Sequence, residues 1–173
     1  TGDLEIGARP FRDYARARCL FAPAAAAGDP HALHNIGFMT LEGNGGPADP
    51  AAAVELFEKA AEADYEPSAT MLASLFETGD RVPKDPRRGA TWMLASARLG
   101  NPESQAYVGR MYEEGDRLPK DLEKAAKMYL LGARQGYPVA QAKLAVCYAF
   151  GEGAPKDLPE ALKWNILGAR GGD

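Results

Sequence analysis

The sequence predicts an all-α protein, a stack of 36-residue helix-turn-helix repeats, and three observations support this class. Four glycines recur at a constant step of 36 residues: Gly43, Gly79, Gly115 and Gly151. Four aspartates follow the same step: Asp49, Asp85, Asp121 and Asp157. Four prolines follow it as well: Pro47, Pro83, Pro119 and Pro155. A constant period without insertions indicates equivalent units packed on their neighbours, and not a domain folded around one catalytic pocket.

The repeat at residues 64–99 shows how the first helix of each unit is predicted to form. Its apolar residues recur on one helical face: Ala69, Leu72, Ala73, Leu75 and Phe76. Pro67 lies in the first turn, where a missing N–H costs nothing. Gly79 suits the left-handed residue that closes a helix. A first helix over residues 66–78 follows.

The second helix of the same unit is predicted to begin after a stiff turn. Pro83 keeps the connecting loop extended. The Asp85 carboxylate can accept hydrogen bonds from the free N–H groups of the new helix, and Pro86 suits its first position. The helix is expected to run to about Leu99, before Gly100 breaks it.

Small residues recur where two helices are expected to approach closely. One position holds Gly37, Ala73, Gly109 and Ala145. Another holds Ala60, Ser96, Gly132 and Gly168. A glycine inside a helix costs roughly 0.5–1 kcal/mol relative to alanine, so its recurrence indicates close packing. Large residues that recur beside them are predicted to be core: Leu56, Trp92, Met128 and Trp164.

The period divides the chain, predicted to be a single repeat domain over residues 1–173, into four full repeats and a partial one. The full repeats are 28–63, 64–99, 100–135 and 136–171, and the partial repeat is 1–27. Residues 13–26 are predicted to be an unpaired second helix, kinked at Pro23, which gives nine helices in all. Residues 157–170 keep the ordinary repeat pattern and lack the polar face of a terminal unit. Both ends are therefore expected to be cut from a longer array or covered by a partner.

Composition excludes some classes of protein. The net charge is −4, which argues against a nucleic-acid binder, and no apolar run approaches the length of a membrane span. The first ten residues lack the pattern of a signal peptide. Cys19 and Cys147 lie more than three repeats apart, too far for a disulfide in a stack, and both are predicted to be free and packed.

The repeats resemble the Sel1-like repeat, a relative of the tetratricopeptide repeat. In the first full unit the matching residues are Ala32, Asn35, Ile36, Gly37, Met39, Gly43, Gly45, Pro47, Asp49, Ala53, Phe57, Ala60 and Ala61. The resemblance implies a right-handed α/α superhelical solenoid whose first helices line a concave face. It also implies an adaptor, since members act in bacterial envelope biogenesis, signalling, host interaction and eukaryotic protein quality control.

One departure from the family pattern bears on enzymatic activity. A cysteine-rich subgroup links the paired helices of each repeat with a disulfide, and members have been assigned β-lactamase or penicillin-binding activity. This chain lacks those cysteines. We therefore expect no enzyme, with hydrolase or penicillin-binding activity kept as the alternative by analogy.

Few residues of the sequence suggest catalysis or metal binding. His31 and His34 are the only histidines and lie three apart on one helix face, but a metal would need a third ligand near them. We expect both to be solvent-exposed or to contact a partner. The segments GNGG (43–46) and GEGAPK (151–156) superficially resemble phosphate loops, yet both fall at inter-helix turns and follow no strand. No catalytic residue, metal or cofactor is predicted.

Variable positions of the first helices are the candidate partner-binding residues that the resemblance implies. By repeat they are His31, His34, Phe38 and Leu41; Thr70, Ser74 and Glu77; Glu103, Arg110 and Glu113; Val139, Ala142 and Val146. Arg and aromatic residues are frequent interface anchors, which favours Phe38 and Arg110. Two alternatives stay open: such positions can vary because nothing constrains them, and Arg110 can pair internally with Glu113.

The sequence thus predicts a non-enzymatic bacterial scaffold that binds a protein or peptide segment on its concave face. A bacterial periplasmic or secreted location is favoured over the cytoplasm. Neither nucleic-acid binding nor membrane insertion is expected. A self-associating architectural array, joined through uncapped ends, is the second alternative.

Overall fold

The computed structural model describes residues 9–171, with side chains from residue 13, and these residues form helices and no strand. The nine helices of this range confirm the predicted all-α repeat fold. Their bounds are α1 Arg9–Ala26, α2 Pro30–Glu42, α3 Pro50–Glu62, α4 Glu66–Thr78, α5 Pro86–Arg98, α6 Pro102–Glu114, α7 Leu122–Arg134, α8 Pro138–Phe150 and α9 Leu158–Arg170.

The recurring glycines and aspartates lie at the two ends of the inter-helix turns. Gly43, Gly79, Gly115 and Gly151 are left-handed, with φ between 74° and 76°. Each donates its N–H to the carbonyl four residues earlier and so closes α2, α4, α6 or α8. The aspartate carboxylates accept from the first N–H groups of the next helix, as Asp121 does from Lys124 N at 2.9 Å.

The chain divides into two compact units after Gly89, within α5. In the first unit α1 packs on α2, α2 on α3, and α3 on α4. Its core contains fully buried Phe57 and Leu72. The Phe57 ring lies against Gly37, where an added Cβ would stand 2.9 Å from a ring carbon. The small residue at position 37 is therefore what lets α2 and α3 approach.

In the second unit α6, α7, α8 and α9 pack in succession. Tyr129 is its largest fully buried side chain, and its ring lies where a Cβ on Gly109 would stand 2.6 Å away. Ser96 and Ser104 join α5 to α6 through a buried hydrogen bond of 2.8 Å. Two glutamines repeat one contact, since the amides of Gln105 and Gln141 donate to the Ala97 and Ala133 carbonyls, both at 3.1 Å.

Two predictions about the first helix were wrong. α1 begins at Arg9, not at residue 13, because Phe11 stands where the other repeats carry their turn proline and nothing stops the helix there. Cys19 is exposed and not packed, whereas Cys147 is buried as predicted. Pro23 lies inside α1 as expected.

Candidate functional site

The predicted histidine pair lies in an aromatic cluster of the first unit. The His31 ring is exposed and stands 4.5 Å from the Tyr65 ring. His34 is half-buried, with its ring 5.3 Å from those of Phe57 and Tyr65. Its Nδ1 and the Ser68 Oγ are hydrogen-bonded at 2.8 Å. Burial, aided by the nearby His31, lowers the pKa of His34 below its ordinary value. His34 thus joins α2 to α4. It is half-buried, so the solvent-exposed alternative holds for His31 and not for His34, and contact of either histidine with a partner stays a prediction.

The other predicted positions of the first unit divide between surface and interior. Phe38 on α2 and Ser74 on α4 are exposed, and 43% of Phe38 remains accessible. Glu77 is half-buried. Leu41 is buried in the core, so its place on a binding face was wrong. Thr70 donates its hydroxyl to Glu66 within α4.

The second unit contains a depression of about 280 Å³ at the exposed faces of α6 and α8, each of which is the first helix of its repeat. Glu103 and Arg110 line it from α6, and Val139 and Lys143 line it from α8. We call this depression the α6–α8 groove. It brings together three residues that the sequence placed on a binding face: Glu103, Arg110 and Val139.

Arg110 presents a cation at the surface of the groove. Its guanidinium carbon lies 4.6 Å from the centre of the Tyr107 ring, within the range of a cation–π contact. The side chain is exposed, and in the described part of the chain it has no carboxylate partner. The stack orients the guanidinium while leaving its N–H donors available to an anion.

Glu113 belongs to an internal network and does not pair with Arg110, which was one of the open alternatives. Its carboxylate accepts hydrogen bonds from the Tyr129 hydroxyl and from Lys143 Nζ, the latter at 2.9 Å. Partial burial opposes ionisation of Glu113, but these hydrogen bonds outweigh it and lower its pKa below the ordinary value. The network joins α6, α7 and α8 and holds Lys143 at the edge of the groove.

We expect Glu113→Gln to lower the free energy of unfolding by about 1 kcal/mol, because it removes a partly exposed charge from two hydrogen bonds. The adjacent, exposed Glu114→Gln is the matched control, with an expected change within about 0.5 kcal/mol. Since the folded pKa of Glu113 is lowered, its contribution is present at neutral pH and is lost as the pH falls below about 4.5. Urea unfolding at pH 7 and pH 3.5 measures this, and equal effects of the two variants would contradict the assignment.

An exposed apolar face continues from α8 onto α9. Val146, predicted as a contact residue, is exposed, and so is Phe150 at the end of α8. Leu158, Leu162 and Ile166 are exposed on α9. A depression of about 280 Å³ lies between the two helices, lined among others by Val146 and Leu162. Ala142, the remaining predicted position, is exposed and lines the same depression.

Sequence reasoning missed the other residues that line the α6–α8 groove, among them Tyr107, Tyr137 and Lys143. Tyr137 precedes α8 in the position where Asn101 caps α6, so it lies outside the first-helix positions from which the candidates were taken. Tyr107 lies one position beyond the core residue Ala106 and three before Arg110, a spacing that places it beside the arginine on one helix. That spacing is the signal that could have identified it.

The described residues offer no cluster of side chains suited to a metal ion. No set of three His, Cys, Asp or Glu side chains in residues 13–171 could hold a metal ion. Burial, with a smaller effect of Glu113, raises the pKa of the Cys147 thiol to about 11, so the thiol is protonated at neutral pH. Among the helices described, none is long and apolar enough to cross a bilayer.

The repeats identify the family of this chain. The Sel1 repeat family matches residues 4–29, 30–65, 67–101, 102–137 and 138–173, which is nearly the whole sequence. The protein therefore belongs to the Sel1 repeat family, whose members commonly take part in protein–protein interaction and are typically non-catalytic scaffolds. No functionally curated protein matches the sequence.

Solved structures of Sel1 repeat proteins are similar to this chain in sequence and fold. A Sel1 repeat protein from Oxalobacter formigenes is 31% identical with a TM-score of 0.79, over 93% of this chain and 46% of that one. A protective antigen of uropathogenic Escherichia coli strains, described as displaying an SLR fold, is 28% identical with a TM-score of 0.75, over 90% of this chain and 33% of that one. The Helicobacter pylori cysteine rich protein B is 21% identical with a TM-score of 0.53, over 70% of this chain and 86% of that one. At this identity the likeness shows the fold alone. This chain thus spans less than half the length of the first two relatives, and all three come from bacteria.

Proposed function

We propose that this protein is a non-catalytic bacterial adaptor whose α6–α8 groove binds a segment of a partner protein. The observation that carries the proposal is Arg110, an exposed guanidinium stacked on Tyr107 beside an apolar residue, Val139. Arginine and tyrosine are enriched among the residues that contribute most to protein–protein binding. An arginine already oriented by a ring also loses less freedom when it binds.

The chemistry of the groove indicates which segment it accepts. Arg110 provides a fork of N–H donors for a carboxylate, whereas Lys143 is already paired with Glu113 at 2.9 Å. Glu103 also lines the groove, but it lies seven residues before Arg110 on α6, about two helical turns away. Val139 and the ring of Tyr137 offer an apolar contact beside that charge. The partner segment is accordingly one that carries an acidic residue close to an aliphatic or aromatic one.

The test begins with a displayed library of short peptides selected on the immobilised protein, followed by affinity measurement for one selected peptide. We expect enrichment of peptides with a carboxylate next to an apolar side chain. Arg110→Glu should weaken binding at least about ten-fold, since a like charge then faces the ligand carboxylate. The helical melting curve should stay unchanged, because Arg110 is exposed.

Arg134→Glu is the matched control for charge reversal in the same unit, because Arg134 is an exposed arginine at the end of α7 and outside the groove. It should leave the affinity of the selected peptide within about two-fold, as expected for a change outside the buried centre of an interface. Equal loss in both variants would mean that net charge, and not the groove, governs binding. Full binding by Arg110→Glu would disprove the site.

The exposed apolar face of α8 and α9 favours a second candidate function, self-association. Seven exposed large apolar side chains lie on these two helices: Val139, Val146, Phe150, Leu158, Leu162, Ile166 and Leu167. Contiguous exposed apolar surface commonly marks an interaction site. Sedimentation at rising protein concentration, run on the same preparations as the peptide test, separates the two functions.

A further inference from the structure

We propose that a cleft between α5 and α7, within the second unit, binds a single-chain amphiphilic anion of the type of a medium-chain carboxylate. The cleft has a volume of about 510 Å³, within the usual range of small-ligand sites. Leu94 of α5 and Leu131 of α7 line it, and α6 contributes Val108 and Tyr112. None of its lining residues belongs to the α6–α8 groove, so the proposal is independent of the proposed function.

One repeat position explains why space is left here. Met128 lines the cleft and occupies the position that Trp92 and Trp164 hold one repeat earlier and one repeat later. Trp164 is partly buried against the core cluster of α7 and α8. A thioether chain is smaller than an indole and more adaptable in shape, so the same register leaves a cavity beside Leu131. A cleft at this register is therefore a property of repeats without tryptophan at the position, since Leu56 holds it in the first full repeat and also lines a cleft.

Charge at the cleft has a single sign. Arg98, Lys124 and Lys127 are among its lining residues, and no Asp or Glu is among those that the described chain places there. Lys127 is exposed and has no ion-pair partner within residues 13–171. Lys124 Nζ lies 3.1 Å from an oxygen of Asp121, so this lysine is partly neutralised. Lys127 is accordingly the main available cation for a ligand head group.

A second cleft has a similar volume but no excess of positive charge. It lies in the first unit, has a volume of about 590 Å³ and is lined by Leu33 and Leu56. Its polar lining residues, Lys59 and Glu62, carry opposite charges. Lys59 and Glu62 lie three residues apart on α3, close enough to neutralise each other, so this lining offers no preference for an anion. Only the combination at α5–α7, an apolar cavity beneath an excess of positive charge, matches a ligand with one alkyl chain and one anionic head.

The geometry assigns each part of the ligand a place. The alkyl chain lies against Leu94, Val108 and Leu131, where its burial removes apolar surface from water. The head group stays at the opening and is attracted by Lys127. Because the opening is solvated, the charge of the head group adds little to the affinity, but it makes the cleft prefer an anion over a cation.

The test is calorimetric titration of the protein with decanoate below its micelle-forming concentration, compared with decyltrimethylammonium, which has the same chain and the opposite charge. We expect saturable one-to-one binding of decanoate, at least about ten-fold tighter than that of the cation. Lys127→Gln combined with Lys124→Gln should abolish this difference between the two probes, since it removes two of the three cations.

Met128→Trp is the decisive variant, because it fills the cavity with the side chain that the neighbouring repeats already accept at this position. It should weaken decanoate binding at least about ten-fold while keeping the melting temperature. Leu131→Gln, at an exposed wall residue, gives the same information if Met128→Trp fails to fold. Leu162→Gln on the apolar face of α9 is the matched control and should leave binding unchanged.

Four outcomes would overturn the proposal. They are the absence of saturable decanoate binding, equal affinity for the two probes, full binding by the cavity-filling variant, and loss of binding on Leu162→Gln. The last would place the amphiphile on the exposed face of α8 and α9.

Discussion

Gly153→Ala is expected to lower the free energy of unfolding by about 3 kcal/mol, through left-handed backbone strain and a steric clash together. Gly153 lies in the turn between α8 and α9 with φ at 76°, a region that residues with a Cβ rarely adopt. A Cβ built there would stand 1.9 Å from the Leu122 carbonyl oxygen, at the start of α7. Backbone cannot move aside as a flexible side chain can, so the turn must lift off α7.

Gly136→Ala is the matched control for the strain alone. Gly136 is also left-handed, with φ at 85°, but nothing lies within 4 Å of its added Cβ. We expect Gly136→Ala to lower the free energy of unfolding by only about 1 kcal/mol. Urea unfolding followed by circular dichroism measures both. Equal losses would show that the clash relaxes freely and that the contact of this turn with α7 is loose.

Tyr129→Ala is expected to lower the free energy of unfolding by about 3–5 kcal/mol, because it leaves a cavity in place of the largest fully buried side chain of the second unit. Its partner across the helix interface, Gly109→Ala, should cost about 1–2 kcal/mol even though alanine is the better helix former. The added methyl group would stand 2.6 Å from the Tyr129 ring. That ring cannot turn away, since its hydroxyl is bound to Glu113.

The double variant Gly109→Ala/Tyr129→Ala separates the effect of the methyl–ring contact from the effect of helix propensity. With the ring removed, the methyl group introduced by Gly109→Ala has space, so the double variant should be more stable than the sum of the single losses predicts by at least about 1 kcal/mol. Gly132→Ala is the comparison in the same unit, because its Cβ would meet Ala140 and the Pro102 carbonyl and not Tyr129. If the losses in free energy of unfolding from Gly109→Ala and Tyr129→Ala are additive, the size of residue 109 is not limited by the Tyr129 ring.

The repeat register predicted most of the fold because its signals are local. A left-handed glycine, a turn proline and a capping aspartate act within a few residues, and they recur at a fixed step. The same register could also have corrected one error. Cys19 corresponds to Glu55 and Lys127, both exposed, so its exposure follows from its repeat position.

The candidate site was predicted less well, since its contacts join residues on different helices. Glu113 and Lys143 are 30 positions apart, and neither charge nor spacing indicates that they meet. Tyr107 acquires its role only because the Arg110 side chain folds back onto its ring. The predicted positions Arg110 and Val139 do share the α6–α8 groove, whereas Phe38, Ser74 and the histidines lie in the first unit. Their partner contacts remain predictions.

The paired sizes of Gly109 and Tyr129 restrict how such an array can grow by recombination. Both residues lie between Gly100 and Gln135, so duplication or deletion of that whole segment carries the small residue together with its ring. A crossover inside the turn after Gly115 would instead join the first helix of one repeat, with Ala145, to a second helix that carries Tyr129. The methyl group and the ring would then overlap, so viable recombinants should have their junctions between repeats and not within them.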